Sequence, residues 1–389
     1  MPSRLFCILF FLTCFLKGGF AQKELSIGIL AVAKPKSVQV IPEFGTYDLM
    51  CDGVKKAVLK ATERVTFETR GKLVLVSVPG KVIGQFKEVR MLGTGGTAVL
   101  RLYVLNPSRH ERVYDDHLYV TANGTGLKLI NRVSIEKYVA GVVEAETGKD
   151  KDLEFYKVQA VISRTYALSN RRKYMHEGFN LNDEVDSQVY HGKCRWVPEI
   201  LVAVEMTAGK VLVDSEMRLI TAAFHSNSGG ETVSSQAVWT SALPYLTPRR
   251  DEFSETGEHY AWSRMVSKAA WLEYLNKNFK YQSGDKLLEM MAINYEQENR
   301  QIYFLDPIFN IPLKGIRKDW KFNSTYFDIE DRGDSLYFNG RGFGHGTGLS
   351  QEGAMRMANL GFGYADVLHF YYNDVHIIDL HALEFFKED

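Results

Sequence analysis

The segment Ile135-Glu-Lys-Tyr-Val-Ala-Gly-Val-Val-Glu-Ala-Glu-Thr-Gly148, continued by Leu153-Glu-Phe-Tyr-Lys-Val-Gln-Ala-Val-Ile-Ser-Arg-Thr-Tyr-Ala-Leu168, decides the fold class. Leu153, Tyr156, Val158, Ala160, Val161, Tyr166, Ala167 and Leu168 recur with the period of about 3.6 that makes one apolar helix face, so the main helical stretch is predicted from Ile135 to about Arg172. Asp152 and Glu154 near its start, and Arg171, Arg172 and Lys173 at its end, suit the helix dipole. Upstream, residues 24–130 read differently. Short alternating runs such as Lys72-Leu-Val-Leu-Val-Ser-Val and Ala98-Val-Leu-Arg-Leu-Tyr-Val recur between Gly, Pro and Asn breakers, as strands do. Downstream, Gly209-Lys-Val-Leu-Val reads as a strand, Ala261 to Asn278 as a helix, residues 290–340 as short strands, and Leu349 to Leu360 as a helix. Strands and helices are segregated rather than alternating, so the expected class is α+β: a β-rich N-terminal region followed by a mixed helix-and-strand domain.

The 389 residues are 45% apolar and 24% charged, which is ordinary globular composition. Lys plus Arg and Asp plus Glu both number 47, so no global basic field draws in nucleic acid. The first 21 residues stand apart. Arg4 precedes an apolar run from Leu5 to Leu16, and Gly19-Phe20-Ala21 is a small-residue ending of the kind cleaved from exported proteins. The run is short of the roughly 20 residues a membrane span needs, so residues 1–21 are expected to be a signal peptide, and the mature chain periplasmic or extracellular with no membrane span. Beyond it, 22–110 is the β-rich region and 111–380 the functional domain. The mature chain keeps Cys51 and Cys194, which either pair or stay free.

Four constellations carry chemistry. Glu144 and Glu146 follow the apolar run of the helix. A carboxyl set among Val142, Val143 and aromatic residues resists ionisation and becomes a general acid, whereas a pair at a helix end is otherwise solvated. Arg164 sits on an apolar helix face, where it pairs with a carboxylate, holds a ligand oxygen, or lies over the surface. Phe224-His225-Ser226-Asn227-Ser228-Gly229-Gly230 clusters groups that hydrogen-bond sugar hydroxyls, pair a serine nucleophile with His225, or satisfy a turn. Gly340-Arg-Gly-Phe-Gly-His345-Gly-Thr-Gly-Leu-Ser350-Gln351-Glu352-Gly353 lets backbone approach a ligand or a neighbouring strand. Gly93-Thr-Gly-Gly-Thr-Ala98 has the spacing of a dinucleotide loop but leads into a strand, so that reading is rejected. His191 and Cys194 have the spacing of a metal-ligand pair, but the remaining ligands zinc requires are not evident, so no resident cofactor is expected.

In their order along the chain these segments resemble the SpoIID/LytB family. Asn131 to Glu146 looks like that family's entry into its catalytic helix, and Gln159 to Leu168 like the helix core. Gln188-Val-Tyr-His-Gly, His225-Ser-Asn-Ser-Gly-Gly and Trp239 with Pro244-Tyr-Leu are similar to its middle motifs. Gly340 to Ala354 is close to its C-terminal signature. The resemblance covers about 115–375. It implies a lytic transglycosylase acting on peptidoglycan glycan strands stripped of stem peptides, or, as in LytB-type members, a non-catalytic glycan-binding module that enhances a cell-wall amidase. The family's catalytic glutamate matches Glu146, not Glu144, and its helix arginine matches Arg164. Tyr166, Gln188, His225, Ser226, Ser228, His345, Ser350 and Gln351 are then expected to bind substrate. The chain departs from the family where Thr147-Gly148 replaces the usual Met-Pro, and only His191 and Cys194 answer to the His/Cys zinc set that some members carry.

Overall fold

The computed structural model describes residues 24–239, 241–281 and 285–385. The expected signal peptide, residues 1–21, lies outside the described residues. The fold is α+β, and its largest element is an eleven-stranded sheet built from ten strands between Glu24 and Ser134 and from Leu181–Asn182. Two long strands, Ser37–Cys51 and Glu88–Asn106, run antiparallel along each other's length. Their sequences explain how they bend. Val38 and Val40 point into the core, and so do Tyr47, Leu49 and Cys51, so the inward parity changes between them. The change falls at register shifts around Pro42, Phe44 and Thr46, where a proline costs no ladder hydrogen bond. The facing strand changes parity between Met91 and Ala98, across Gly93-Thr-Gly-Gly. That glycine-rich stretch is thus a bend within a strand, in agreement with its rejection as a nucleotide loop. Residues on both sides of position 110 share this sheet and its core.

Helix α1 (Ile135–Thr147) continues directly from the strand Leu127–Ser134. The helical stretch expected from Ile135 to Arg172 is divided in two. The chain leaves α1 at Gly148, with φ 66°, and α2 (Leu153–Ser169) begins where the Asp152 side chain accepts the Glu154 N–H. Helix α3 (Pro198–Met206) packs against both. Cys51 and Cys194 are both buried and free.

A second apolar core, containing Trp271, Phe304, Phe327 and Phe338, fills a smaller lobe. Its three-stranded sheet has Ser335–Arg341 between Ala261–Ser267 and Tyr326–Asp331. The helix expected over Ala261–Asn278 is corrected here. Its first seven residues are the strand Ala261–Ser267, and the helix begins only at Lys268, after Ser267 caps it by accepting the Ala270 N–H. Pairing with Ser335–Arg341 overrides the local helical pattern.

Arg164 holds the helical layer together. It is completely buried on α2. Its Nη2 lies 2.5 Å from Glu136 Oε2 on α1, and its Nε donates to Glu136 Oε1 at 3.0 Å. Nη1 donates to the Lys210 carbonyl at 3.0 Å, on the strand Lys210–Val213, while Glu136 Oε1 also accepts the Gly209 N–H at 3.2 Å. A buried guanidinium left without its carboxylate is strongly destabilising. Glu136→Ala should therefore lower the unfolding free energy by about 3–5 kcal/mol, measured by urea denaturation.

Candidate functional site

The geometry of the site begins at Gly141. A Cβ there would stand 2.0 Å from the Gly192 carbonyl oxygen, so only glycine lets the strap of residues 185–197 lie against α1. Tyr190 pins the strap from below. Its ring packs 5.0 Å from that of Tyr138, and its hydroxyl donates to Asn131 Oδ1 at 2.9 Å. Gln188 is buried beside it, with its Oε1 accepting from the Tyr138 hydroxyl at 3.4 Å.

This contact separates the two carboxylates of the motif. Glu144 turns to one side and is consumed in structure: its carboxylate accepts the backbone N–H groups of Arg195 (3.0 Å), Trp196 (2.6 Å) and Val197 (3.1 Å). Glu146 turns to the other side, where its Oε1 accepts the Val189 N–H at 3.0 Å. Burial pushes the Glu146 carboxyl above its ordinary range, and the single N–H bond from Val189 only partly offsets this. Glu146 lines an open groove of about 720 Å³, together with Tyr166, Lys173, Asp186, Trp239 and His345.

Asp186 escaped the sequence reading because nothing in its spacing links it to Glu146. Burial acts to raise its carboxyl, but hydrogen bonds from Tyr174 and Asn182 and the nearby Lys173 charge outweigh it and hold the group below the ordinary range. One groove therefore carries a carboxyl pushed up and a carboxyl pulled down, the pattern that divides acid from charge-stabilising roles.

Of the residues expected to bind substrate, Tyr166 and His345 line this groove. His225 is buried behind His345, with ring centroids 5.4 Å apart and its Nδ1 donating to the Thr347 carbonyl at 3.2 Å. Ser228 and Ser350 are also buried. Ser228 Oγ donates to Asp251 Oδ2 at 2.7 Å, and Asp251 Oδ1 accepts from the Tyr371 hydroxyl at 3.0 Å. Ser350 Oγ caps the helix Gln351–Asn359 by accepting the Gly353 N–H at 3.3 Å. Ser226 and Gln351 are half-buried and do not line the groove. With His225 bound to Thr347 and Ser228 to Asp251, the loop forms no serine–histidine pair; these groups are tied to other parts of the chain. Arg164 is likewise apart from Glu146. Its partner Glu136 is ten positions earlier on α1, about 15 Å along the axis.

Of the two zinc candidates, Cys194 is buried against Glu144 and His191 lines a neighbouring cavity. Cys194 Sγ lies 3.4 Å from Glu144 Oε1 and 3.6 Å from the Val197 carbonyl. Among the described residues no three His, Cys, Asp or Glu side chains converge on one point.

The elements that form this site are also those shared with known proteins. The SpoIID family model, Stage II sporulation protein, matches residues 123–213, which include α1, α2 and the strap. Stage II sporulation protein D of Bacillus subtilis (strain 168) is 30% identical over 282 residues, covering 68% of this chain and 79% of that protein. The chain belongs to the SpoIID/LytB family. An amidase enhancer of the same organism is 28% identical over 286 residues, covering 60% of this chain and 39% of that protein. An uncharacterized protein of Brachyspira hyodysenteriae is 28% identical over 277 residues, 68% of this chain and 72% of the other. The SpoIID match takes in Glu146, Arg164, Tyr166 and Gln188; the His225 and His345 loops lie beyond it.

The two histidines make stability depend on pH. Burial, with the Arg300 and Arg317 charges adding to it, lowers His345 from 6.5 to about 4, and burial, with the His345 and Arg300 charges adding to it, also lowers His225 well below its ordinary value. Between these values the unfolded chain binds protons that the folded one does not, so stability falls as pH drops from 6.5 toward about 4. The urea midpoint should fall over that window, and His345→Gln should flatten the slope.

Proposed function

We propose that this protein cleaves peptidoglycan glycan strands, those stripped of stem peptides, as an exported lytic transglycosylase with Glu146 as its acid and then its base. The observation that carries the reading is Glu146 itself, a carboxyl at the family's motif position, raised by burial and open to a groove. Family membership supports the coarser statement of a cell-wall-related function, extracellular or in the cell wall. No helix among the described residues is long and apolar enough to cross a membrane.

In this mechanism protonated Glu146 gives its proton to the oxygen joining C1 of N-acetylmuramic acid to the next N-acetylglucosamine. The C1–O bond breaks, and its electron pair stays with that oxygen. The muramic C6 hydroxyl attacks C1 and returns its proton to the Glu146 carboxylate, which closes a 1,6-anhydro ring and restores the acid. No water enters, so the reaction needs no carboxylate nucleophile. Asp186, held ionised on the same groove, favours the positive charge that develops at C1. Arg164 supports the reaction by fixing α1 against α2, not by contact with the sugar.

The relative named an amidase enhancer favours a second reading, in which the groove holds glycan and stimulates a wall amidase. Digestion of denuded glycan with mass analysis of the ends separates the two. Wild-type protein should release anhydro-muramyl ends, and Glu146→Gln should lose about 10²–10⁴-fold in rate, the usual worth of a general acid. Reducing ends alone, or full activity in the Gln variant, would overturn the transglycosylase. Bound glycan without turnover, together with stimulation of an added amidase, would establish the enhancer instead.

A further inference from the structure

Trp196 is 76% exposed, an unusual place for so large an apolar ring. Yet the turn that carries it is held firmly. Glu144 clamps the backbone N–H groups of Arg195 (3.0 Å), Trp196 (2.6 Å) and Val197 (3.1 Å) to the last turns of α1. The Arg195 guanidinium lies 5.0 Å from the indole centroid, over one face of the ring. The opposite face is left to solvent, so a flat apolar plate is presented at little entropic cost.

Beside this plate is a second cavity of about 620 Å³, lined by Glu111, Arg112, Gly141, His191, Lys193 and Trp196, among others. Its cations already have partners. Arg112 Nη1 lies 2.7 Å from Asp183 Oδ2, Lys193 Nζ lies 3.0 Å from Asp115 Oδ1, and Arg195 Nη2 lies 3.9 Å from Glu43 Oε1. The cavity therefore offers hydrogen-bonding groups without an unpaired positive charge, which suits a neutral ligand better than a phosphate or carboxylate. A ligand with apolar faces and a polar edge fits a rigid aromatic plate beside such a wall, and an N-acetylated pyranose is of that kind.

The cavity adjoins the groove of Glu146. On α1, Glu146 lines the groove and Ala145 the cavity; on the strap, Val189 lines the groove and His191 the cavity. Between Val189 and His191 lies only the fully buried Tyr190. The two openings therefore lie on either side of the strap, with their nearest lining residues only two positions apart along it.

We propose that Trp196 and the cavity beside it form a further saccharide subsite, which binds an N-acetylated amino sugar of the strand that occupies the Glu146 groove. This rests on the reading of that groove as a glycan site, but not on whether the groove cuts.

The test uses the Glu146→Gln protein, so that no turnover occurs, and calorimetric titration with the trimer and hexamer of N-acetylglucosamine. The hexamer should bind, and adding Trp196→Ala should weaken it by about tenfold, a change of about 1.4 kcal/mol. Trp196→Tyr, which keeps an aromatic plate, should recover most of the loss. Because the side chain is exposed, both variants should keep the parent's melting temperature. A hexamer affinity unchanged by Trp196→Ala, or no hexamer binding by the parent, overturns the subsite. Weaker trimer binding as well would still support it, placing the shorter ligand on the plate. Absence of anhydro ends in the digestion would remove the transglycosylase while leaving this binding result standing, and the reverse also holds.

Discussion

The 2.0 Å that would separate a Cβ at position 141 from the Gly192 oxygen sets the terms for the whole site. Closing that gap brings backbone against helix, and the strap then has N–H groups to offer on both flanks of α1. One reaches Glu146 and three reach Glu144. A larger residue at 141 would have to lift the strap, and both carboxylates would lose their partners together. Tyr190 makes the same contact stiff from beneath, through Tyr138 and Asn131. The site is thus assembled by close approach of main chain, with side chains placed afterwards.

Two glutamates separated by one residue receive opposite duties from this arrangement. Glu144 is tied to backbone donors and fixes a turn. Glu146 has one donor, partial burial and an open groove. Arg164, the third polar group of the helical layer, works at a distance. It is paired with Glu136 and with the strand at Lys210, and it sets how α1 sits on α2. A reader who looks for chemistry only where side chains meet the groove would overlook that role.

Much of this was legible from the sequence. The period of the α2 face, the alternation of the strands and the ordered motifs led to an α+β fold and to the family, and Gly209-Lys-Val-Leu-Val did become a strand. What was not legible depends on partners far away along the chain. Nothing near Arg164 names Glu136, 28 positions earlier. Nothing near Ser228 names Asp251 or Tyr371, so its hydroxyl read as sugar-binding when it is bonded inside the protein. Asp186 joins Glu146 only because the strap returns to α1. The strand at Ala261–Ser267 was hidden because its pairing partner, Ser335–Arg341, comes some seventy residues later.

That last pairing bears on how the molecule is put together. Ala261 and Arg341 are register partners, so the smaller lobe enters and leaves through adjacent positions on one sheet. The rest of the chain sees the lobe as it would see a hairpin: two ends side by side. Closing a connection costs little more when it is lengthened, since the entropy grows only with the logarithm of its length. The lobe also has an apolar core of its own. It therefore has the character of an insertion, a module whose length can change with little effect on the distance between Tyr260 and Gly342, and so on the loop bearing His345.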